Sequence, residues 1–241
     1  MQDFIGYAKA ALKHNSEGSL DYLTGERGLC ETVIDEFDLG YCPRYSARQL
    51  ASPMLRGRII FPIYDVYGRP IAVTSRLPRG GKCRMKYFNT PFEKSLHWYG
   101  LNWSCRDILE AGRVIIVEGN MDALALYQAG VTNVVASMGA ALSERRVLLI
   151  LRYANAATLV PDGDRAGVRT MKSLGTALSR YGIVTSTVPV PGAKDAAELL
   201  HGETDCRGFL RTLTGSPELD LSDLRGRLDN VSARTLLGRR T

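Results

Sequence analysis

Two short apolar runs, VIIV at residues 114–117 and AATLV at residues 156–160, constrain this chain more than any other feature. Both are rich in β-branched side chains and too short for helices, the composition of strands buried in a sheet. Each stops in a charged turn containing glycine, EGNMD at residues 118–122 and DGDRAG at residues 162–167. In parallel α/β sheets, ligands collect at the carboxyl ends of the strands. Two strands that finish in carboxylates therefore aim at one acidic cluster, a natural seat for a divalent cation and phosphate.

The surrounding pattern supports an α/β fold. Strands are expected near 114–117, 133–137, 156–161 and 183–190, and helices near 121–129, 142–153, 165–181 and 195–201. Each helix follows a strand within a few residues, as βαβ units require. The expectation is a four-stranded parallel sheet flanked by helices, spanning 111–205. Gly130 and Gly182 stand where helices end, and Ser143 stands where the second helix begins. The last strand runs into PGAKD, which brings Asp195 to the same sheet edge.

Residues 1–110 read as an α+β subdomain. Phe4, Ile5, Ala8 and Leu12 have helical spacing, which fits a terminal helix packed on its own domain better than a docking helix. Small helices are expected over 19–55, with Ser19 as a cap, a core of Leu20, Leu23, Leu29, Val33, Ile34 and Phe37, and Gly40 and Pro43 as the end. RIIFPI at 58–63, IAVTSRL at 71–77 and residues 84–89 then read as an antiparallel sheet, with a hairpin at DVYGR. Residues 56–94 hold nine basic and two acidic side chains, enough to account for the net charge of +6. Arg76, Arg84 and Lys86 interleave with Tyr87 and Phe88, a composition suited to phosphates and stacked bases, though ordinary half-exposed sheets alternate in the same way. Trp98 and Trp103 lie in an expected helical linker and read as inter-domain packing. A helical tail is expected over 206–241, with pieces near 219–228 and 232–237.

Several classes are excluded. No run approaches the roughly 20 apolar residues of a membrane span. The start MQDFIGYAKAALK mixes acid and base without a cleavage site, so it is not a secretory signal. Cys30, Cys42, Cys83, Cys105 and Cys206 are odd in number and contain no C-x-x-C pair, which favours a reducing cytoplasm over disulfides or zinc. No G-x-x-x-x-G-K-[ST] phosphate loop is present, which argues against an attached ATP-driven motor.

The candidate chemistry lies in Glu118, Asp122, Asp162, Asp164 and Asp195. So many carboxylates at one edge repel each other unless cations sit between them. The bland alternative is that Asp122, Asp162 and Asp164 only cap helices. E-G-x-M-D, D-G-D-x-A-G and K-D, each at a strand end, form a more specific pattern than a lone D-x-D.

The stretch from Val117 to Asp195 resembles the Toprim fold. VEGNMDALAL, VASMGAALS and PDGDRAG look like the version found in bacterial DnaG-type primases. Upstream, YLTGERGLCETVIDEFDLGY, RGRIIFPIYDVYGRPIAVTSR and KYFNTPFEKSLHWYGL are similar to the polymerase core of that family, in the family's order. The resemblance implies DNA-templated synthesis of RNA primers with Mg²⁺ or Mn²⁺. It implies Glu118 as the essential acid, with Asp162 and Asp164 as metal ligands and Asp122 and Asp195 in support. Arg76, Arg84, Lys86, Tyr87, Asn89 and Lys94 would hold nucleic acid or nucleotide. The implied partners are single-stranded DNA, ribonucleoside triphosphates and a replicative helicase. The chain starts almost at the core, so the resemblance implies a minimal phage- or plasmid-type form without the zinc-binding module, or a fragment. The rival readings are a Toprim nuclease and a non-catalytic single-stranded-DNA-binding subunit that recruits a helicase. A topoisomerase fits less well, because no separate tyrosine-bearing DNA gate has room.

Overall fold

A computed structural model describes residues 1–45, 52–78, 85–140, 143–202 and 206–215. The chain divides into two compact units, Met1–Glu93 and Lys94–Thr241. The division falls earlier than the expected 110/111 boundary, because the helix Leu101–Ala111 belongs with the parallel sheet that follows it.

The first unit begins with α1 (Gln2–Lys13), which buries Ile5, Ala8, Ala11 and Leu12. A turn at Ser16–Gly18 leads to α2 (Ser19–Asp21), a π-turn at Tyr22–Glu26 and α3 (Glu31–Glu36). Ser19 does not cap. It is buried inside the helical segment, and the Asn15 side chain accepts instead from the amides of Leu20, at 2.9 Å, and Asp21, at 3.3 Å. Leu23, Leu29, Val33, Ile34 and Phe37 form the core as expected, whereas Leu20 is only half-buried.

Four antiparallel strands follow, in spatial order β1 (Gly40–Cys42), β2 (Arg58–Tyr64), β3 (Pro70–Arg76) and β4 (Tyr87–Asn89). The segment expected to end a helix at Gly40 is in fact β1. Gly40 permits it: a Cβ there would stand 2.6 Å from the Ala8 Cβ, so only glycine lets this strand lie so close to α1. The hairpin between β2 and β3 is clamped by Asp65. Its Oδ1 accepts from the Tyr67 and Arg69 amides, and its Oδ2 accepts from Arg69 Nε at 2.7 Å. Strand β4 is shorter than the expected 84–89, and Arg84 lies outside the described residues.

The second unit opens with a turn at Lys94–Leu96 and α4 (Leu101–Ala111). It continues β5 (Arg113–Val117), α5 (Asn120–Gln128), β6 (Val134–Ala136), α6 (Glu144–Leu151), β7 (Ala156–Leu159), α7 (Arg165–Arg180), β8 (Val184–Thr187), α8 (Ala196–His201) and α9 (Arg207–Thr214). The four strands pair in parallel, in the order β6-β5-β7-β8. Val114, Ile115, Ile116 and Val117 are all buried, as central strands covered on both faces require. Ser143 caps α6 as expected, accepting from the Arg146 amide at 3.2 Å. Gly130 and Gly182 take positive φ just beyond α5 and α7. Trp98 is buried. Its indole N–H donates to the Arg146 carbonyl. Phe209, Leu210 and Leu213 bury one face of α9, and the tail pieces expected near 219–228 and 232–237 lie outside the described residues. Among the described residues no helix is long and apolar enough to cross a membrane.

Candidate functional site

The order β6-β5-β7-β8 sends the chain one way from β5 and the other way from β7. A crevice opens at the carboxyl ends of two such neighbouring strands, because their following loops part. Glu118 leaves β5 at that point, and Asp162 and Asp164 follow β7. The Asp162 amide donates to Glu118 Oε1 at 3.4 Å, so the two strand ends meet. The loop after β8 joins them: the Gly163 amide donates to the Lys194 carbonyl at 2.7 Å, which brings Asp195 beside the Asp162 turn.

The electrostatics follow from this crowding. Burial, opposed by the Asp162 amide and reinforced by the Asp164 charge, raises the Glu118 carboxyl above its ordinary range. Asp162 is pushed up to about 6, first by burial and then by the charges of Glu118, Asp195 and Asp164, with Lys194 opposing. Unneutralised carboxylates behave this way when held together away from water.

Three acids have a second task. Asp164 caps α7, its Oδ1 accepting from the Gly167 amide at 2.7 Å. Asp195 caps α8 through the Glu198 amide at 2.8 Å. Asp122 is only 6% exposed, and its Oδ1 accepts from the Ala197 amide at 3.0 Å. Asp122 thus turns towards the first turn of α8, the capping alternative raised by the sequence. Asp164 and Asp195 use one carboxylate oxygen each in these caps.

In the first unit, Arg76 pairs with Tyr87 across β3 and β4. The Arg76 guanidinium donates to the Tyr87 hydroxyl at 3.1 Å and lies 5.6 Å from its ring centre. Lys86 is exposed and stands 5.9 Å from the other partner of that stack, the Tyr87 ring. Tyr87 keeps 41% of its surface in water, and Asn89 is half-buried opposite Thr74. Arg58, 2% exposed, donates to the Met85 and Lys86 carbonyls and so fixes the approach to β4. Lys94 falls in the second unit, half-buried in the turn before α4.

A family model described as Toprim-like matches residues 115–200. The DNA primase of Synechococcus elongatus is 31% identical over 85% of this chain and 35% of its own length. A solved structure of the DnaG catalytic core is 28% identical, with a TM-score of 0.73, over 95% of this chain and 87% of that one. The chain belongs to the DnaG-type primase family. A DnaG primase catalytic domain solved bound to single-stranded DNA is 26% identical, with a TM-score of 0.72, and covers 95% of this primase-family chain and 88% of its own. The chain spans 35% to 47% of the length of such curated relatives as those of Synechococcus and Legionella pneumophila.

Toprim-containing primases are divalent-metal dependent as a family. The donors in this primase-family chain fit such an ion. They are hard carboxylate oxygens, and the pair Glu118 and Asp162 carries the raised proton affinity of a site short of positive charge. Among the described residues no three acidic, histidine or cysteine side chains form a ready-made cage.

The structure therefore brings Glu118, Asp162, Asp164 and Asp195 to one edge, while Asp122 gives its Oδ1 to the first turn of α8 and keeps its Oδ2 close to Gly119, the residue after Glu118. Sequence reading missed Gly167, whose missing Cβ makes room for Glu118, and the buried Arg58 behind the basic strand. The D-G-D-x-A-G string contained the first signal. Nothing local to Arg58 marked it as buried.

Proposed function

We propose that this chain is the nucleotidyl-transfer core of a DNA primase, joining ribonucleoside triphosphates on a single-stranded DNA template in the cytoplasm beside a replicative helicase. The observation that carries the reading is the meeting of Glu118 and the Asp162 turn at the β5/β7 crevice, in a chain of the DnaG-type family. Glu118, Asp162 and Asp164 would hold Mg²⁺ or Mn²⁺, with Asp195 in support. The ion, when bound, supplies charge neutralisation at the triphosphate and eases deprotonation of a hydroxyl.

In the step itself, the primer 3′-hydroxyl oxygen bonds to the α-phosphorus and the α–β bridging P–O bond breaks. Pyrophosphate leaves, and Glu118 accepts the hydroxyl proton. Asp162 and Asp164, fixed by the tight turn and the α7 cap, keep the acidic edge in place without rearrangement, the condition for electrostatic catalysis. Lys86, Tyr87, Arg76 and Asn89 hold template or nascent strand by phosphate contact and base stacking. A solved relative bound to single-stranded DNA supports a single-stranded template.

The test is ribonucleotide incorporation on single-stranded DNA with Mg²⁺ or Mn²⁺. Wild type should extend, and Glu118→Gln and Asp162→Asn should not. Full activity in both variants removes the proposed site. Release of cleaved DNA without incorporation turns the reading into a nuclease.

A further inference from the structure

Arg146 is an arginine with 0% exposure, on the first turns of α6. Its Nη2 donates to the Ser137 carbonyl at 2.7 Å and its Nη1 to the Ala140 carbonyl at 3.3 Å. Its guanidinium carbon lies 3.8 Å from the centre of the Trp98 ring, and Trp98 Nε1 donates back to the Arg146 carbonyl at 3.1 Å. Its Nε is buried with no hydrogen-bond partner among the described residues. Burial alone pushes the guanidinium down to about 9, and no carboxylate among the described residues offsets it. A well-packed apolar side chain usually occupies such a position at lower cost.

The residues that Arg146 holds explain its presence. Residues 137–140 form the turn at the carboxyl end of β6, next to β5. Met138 in that turn has φ of 56°, the left-handed region that a side chain other than glycine enters at a cost. On one side the turn is tied to β5: the Ser137 amide donates to the Val117 carbonyl at 2.9 Å, and the Met138 amide donates to the Glu118 carbonyl at 3.0 Å. On the other side it is tied to Arg146. The strained turn is therefore clamped between the candidate catalytic acid and a buried cation.

We propose that Arg146 is a positioning residue for Glu118, fixing the 137–140 turn through two main-chain carbonyls so that the Met138 amide holds the end of β5. Arginine suits this because its planar fork presents two N–H groups in fixed directions, whereas lysine offers a compact point charge on a flexible stem. Without the fork, two carbonyls lose their donors and the left-handed Met138 relaxes, releasing the Glu118 backbone. The catalytic consequence rests on the primer-synthesis reading, but the effect on cation binding does not.

The experiment uses the full chain with Arg146→Lys, Arg146→Met and Ile150→Ala. The last removes buried bulk from the same helix and serves as a stability control. Mn²⁺ affinity is read by electron paramagnetic resonance of the free ion, and incorporation by kcat and KM, with melting curves for each variant. Arg146→Met should weaken Mn²⁺ binding about tenfold and lower kcat by at least as much, with single-stranded-DNA affinity unchanged. Arg146→Lys should recover part of both. Ile150→Ala should lower Tm while Mn²⁺ affinity stays at the wild-type value. The proposal is overturned if Arg146→Lys matches wild type in Mn²⁺ affinity, or if Ile150→Ala weakens Mn²⁺ binding as much for the same loss of Tm. A wild type that makes no primer, with Arg146→Lys still weakening Mn²⁺ binding, ends the primase reading and leaves the role of Arg146 standing. Should Arg146→Met not fold, Arg146→Lys alone decides.

Discussion

A Cβ placed on Gly167 would stand 2.5 Å from Glu118 Oε1. The glycine in the first turn of α7 is therefore the space into which the β5 carboxylate fits. It would also stand 2.9 Å from the Asp162 carbonyl, which is main chain and cannot swing away. Gly167→Ala should consequently displace Glu118, even though alanine is the better helix former. A shift of about 1 Å at a reacting group can cost roughly 100-fold in rate. Incorporation kinetics of Gly167→Ala should show that loss in kcat, and wild-type kcat would contradict the packing argument.

Asp162 makes the acidic edge a source of instability when no cation is bound. Its folded pKa, pushed up to about 6, lies above the ordinary aspartate value near 3.8. The folded state thus holds this proton more tightly than the unfolded chain. The stability linked to that proton is full below about pH 4 and lost as pH rises through about 6. At pH 7.5 Asp162→Asn should melt higher than wild type, by about 2–4 °C for a domain of this size, while losing incorporation. Melting curves between pH 4.5 and 7.5 check this, and an unchanged pH dependence in the variant argues against it. Saturating Mg²⁺ should raise the wild-type Tm at pH 7.5 and leave Asp162→Asn nearly unmoved.

Lys86 is exposed immediately before the strand that carries Tyr87. Contact with one phosphate releases about one counterion, so Lys86→Ala should lower the slope of log K against log salt by about 1. Fluorescence anisotropy with a single-stranded oligonucleotide at several salt concentrations measures it. An unaltered slope removes Lys86 from the phosphate path. Tyr87→Ala should instead weaken binding by about 1–3 kcal/mol at every salt concentration, the signature of a lost stack.

Gly40 tests the first unit by itself. Its missing Cβ would meet the Ala8 side chain at 2.6 Å and the Ala8 backbone at 2.8 Å. Gly40→Ala should cost about 1–3 kcal/mol through overpacking of α1 on β1. Chemical denaturation checks the loss, and a neutral result would mean that α1 can slide.

Much of this is legible in the sequence alone. The period of the apolar runs separates buried parallel strands from helices, and glycine and serine mark the helix ends. These are local preferences, written within a few residues, so the strands near residues 114 and 156 and the cap at Ser143 could be read directly. The same locality explains the errors. Gly40 resembles a helix end until Ala8 is packed against it, and Ser19 resembles a cap until Asn15 takes that place.

What the amino-acid order determined by itself was the α/β pattern, the acidic strand ends and the basic segment that resembles the primase core. What only the tertiary structure decided was which acids face one another. Glu118 and Asp162 meet because β5 and β7 are neighbours, while one oxygen of Asp122 is taken by the Ala197 amide of α8. It also decided that Arg58 and Arg146, ordinary surface residues by composition, are buried to hold main-chain carbonyls. The physical reason is that burial and hydrogen-bond partners are set by residues far apart in the chain, whereas secondary-structure preference is set by near neighbours.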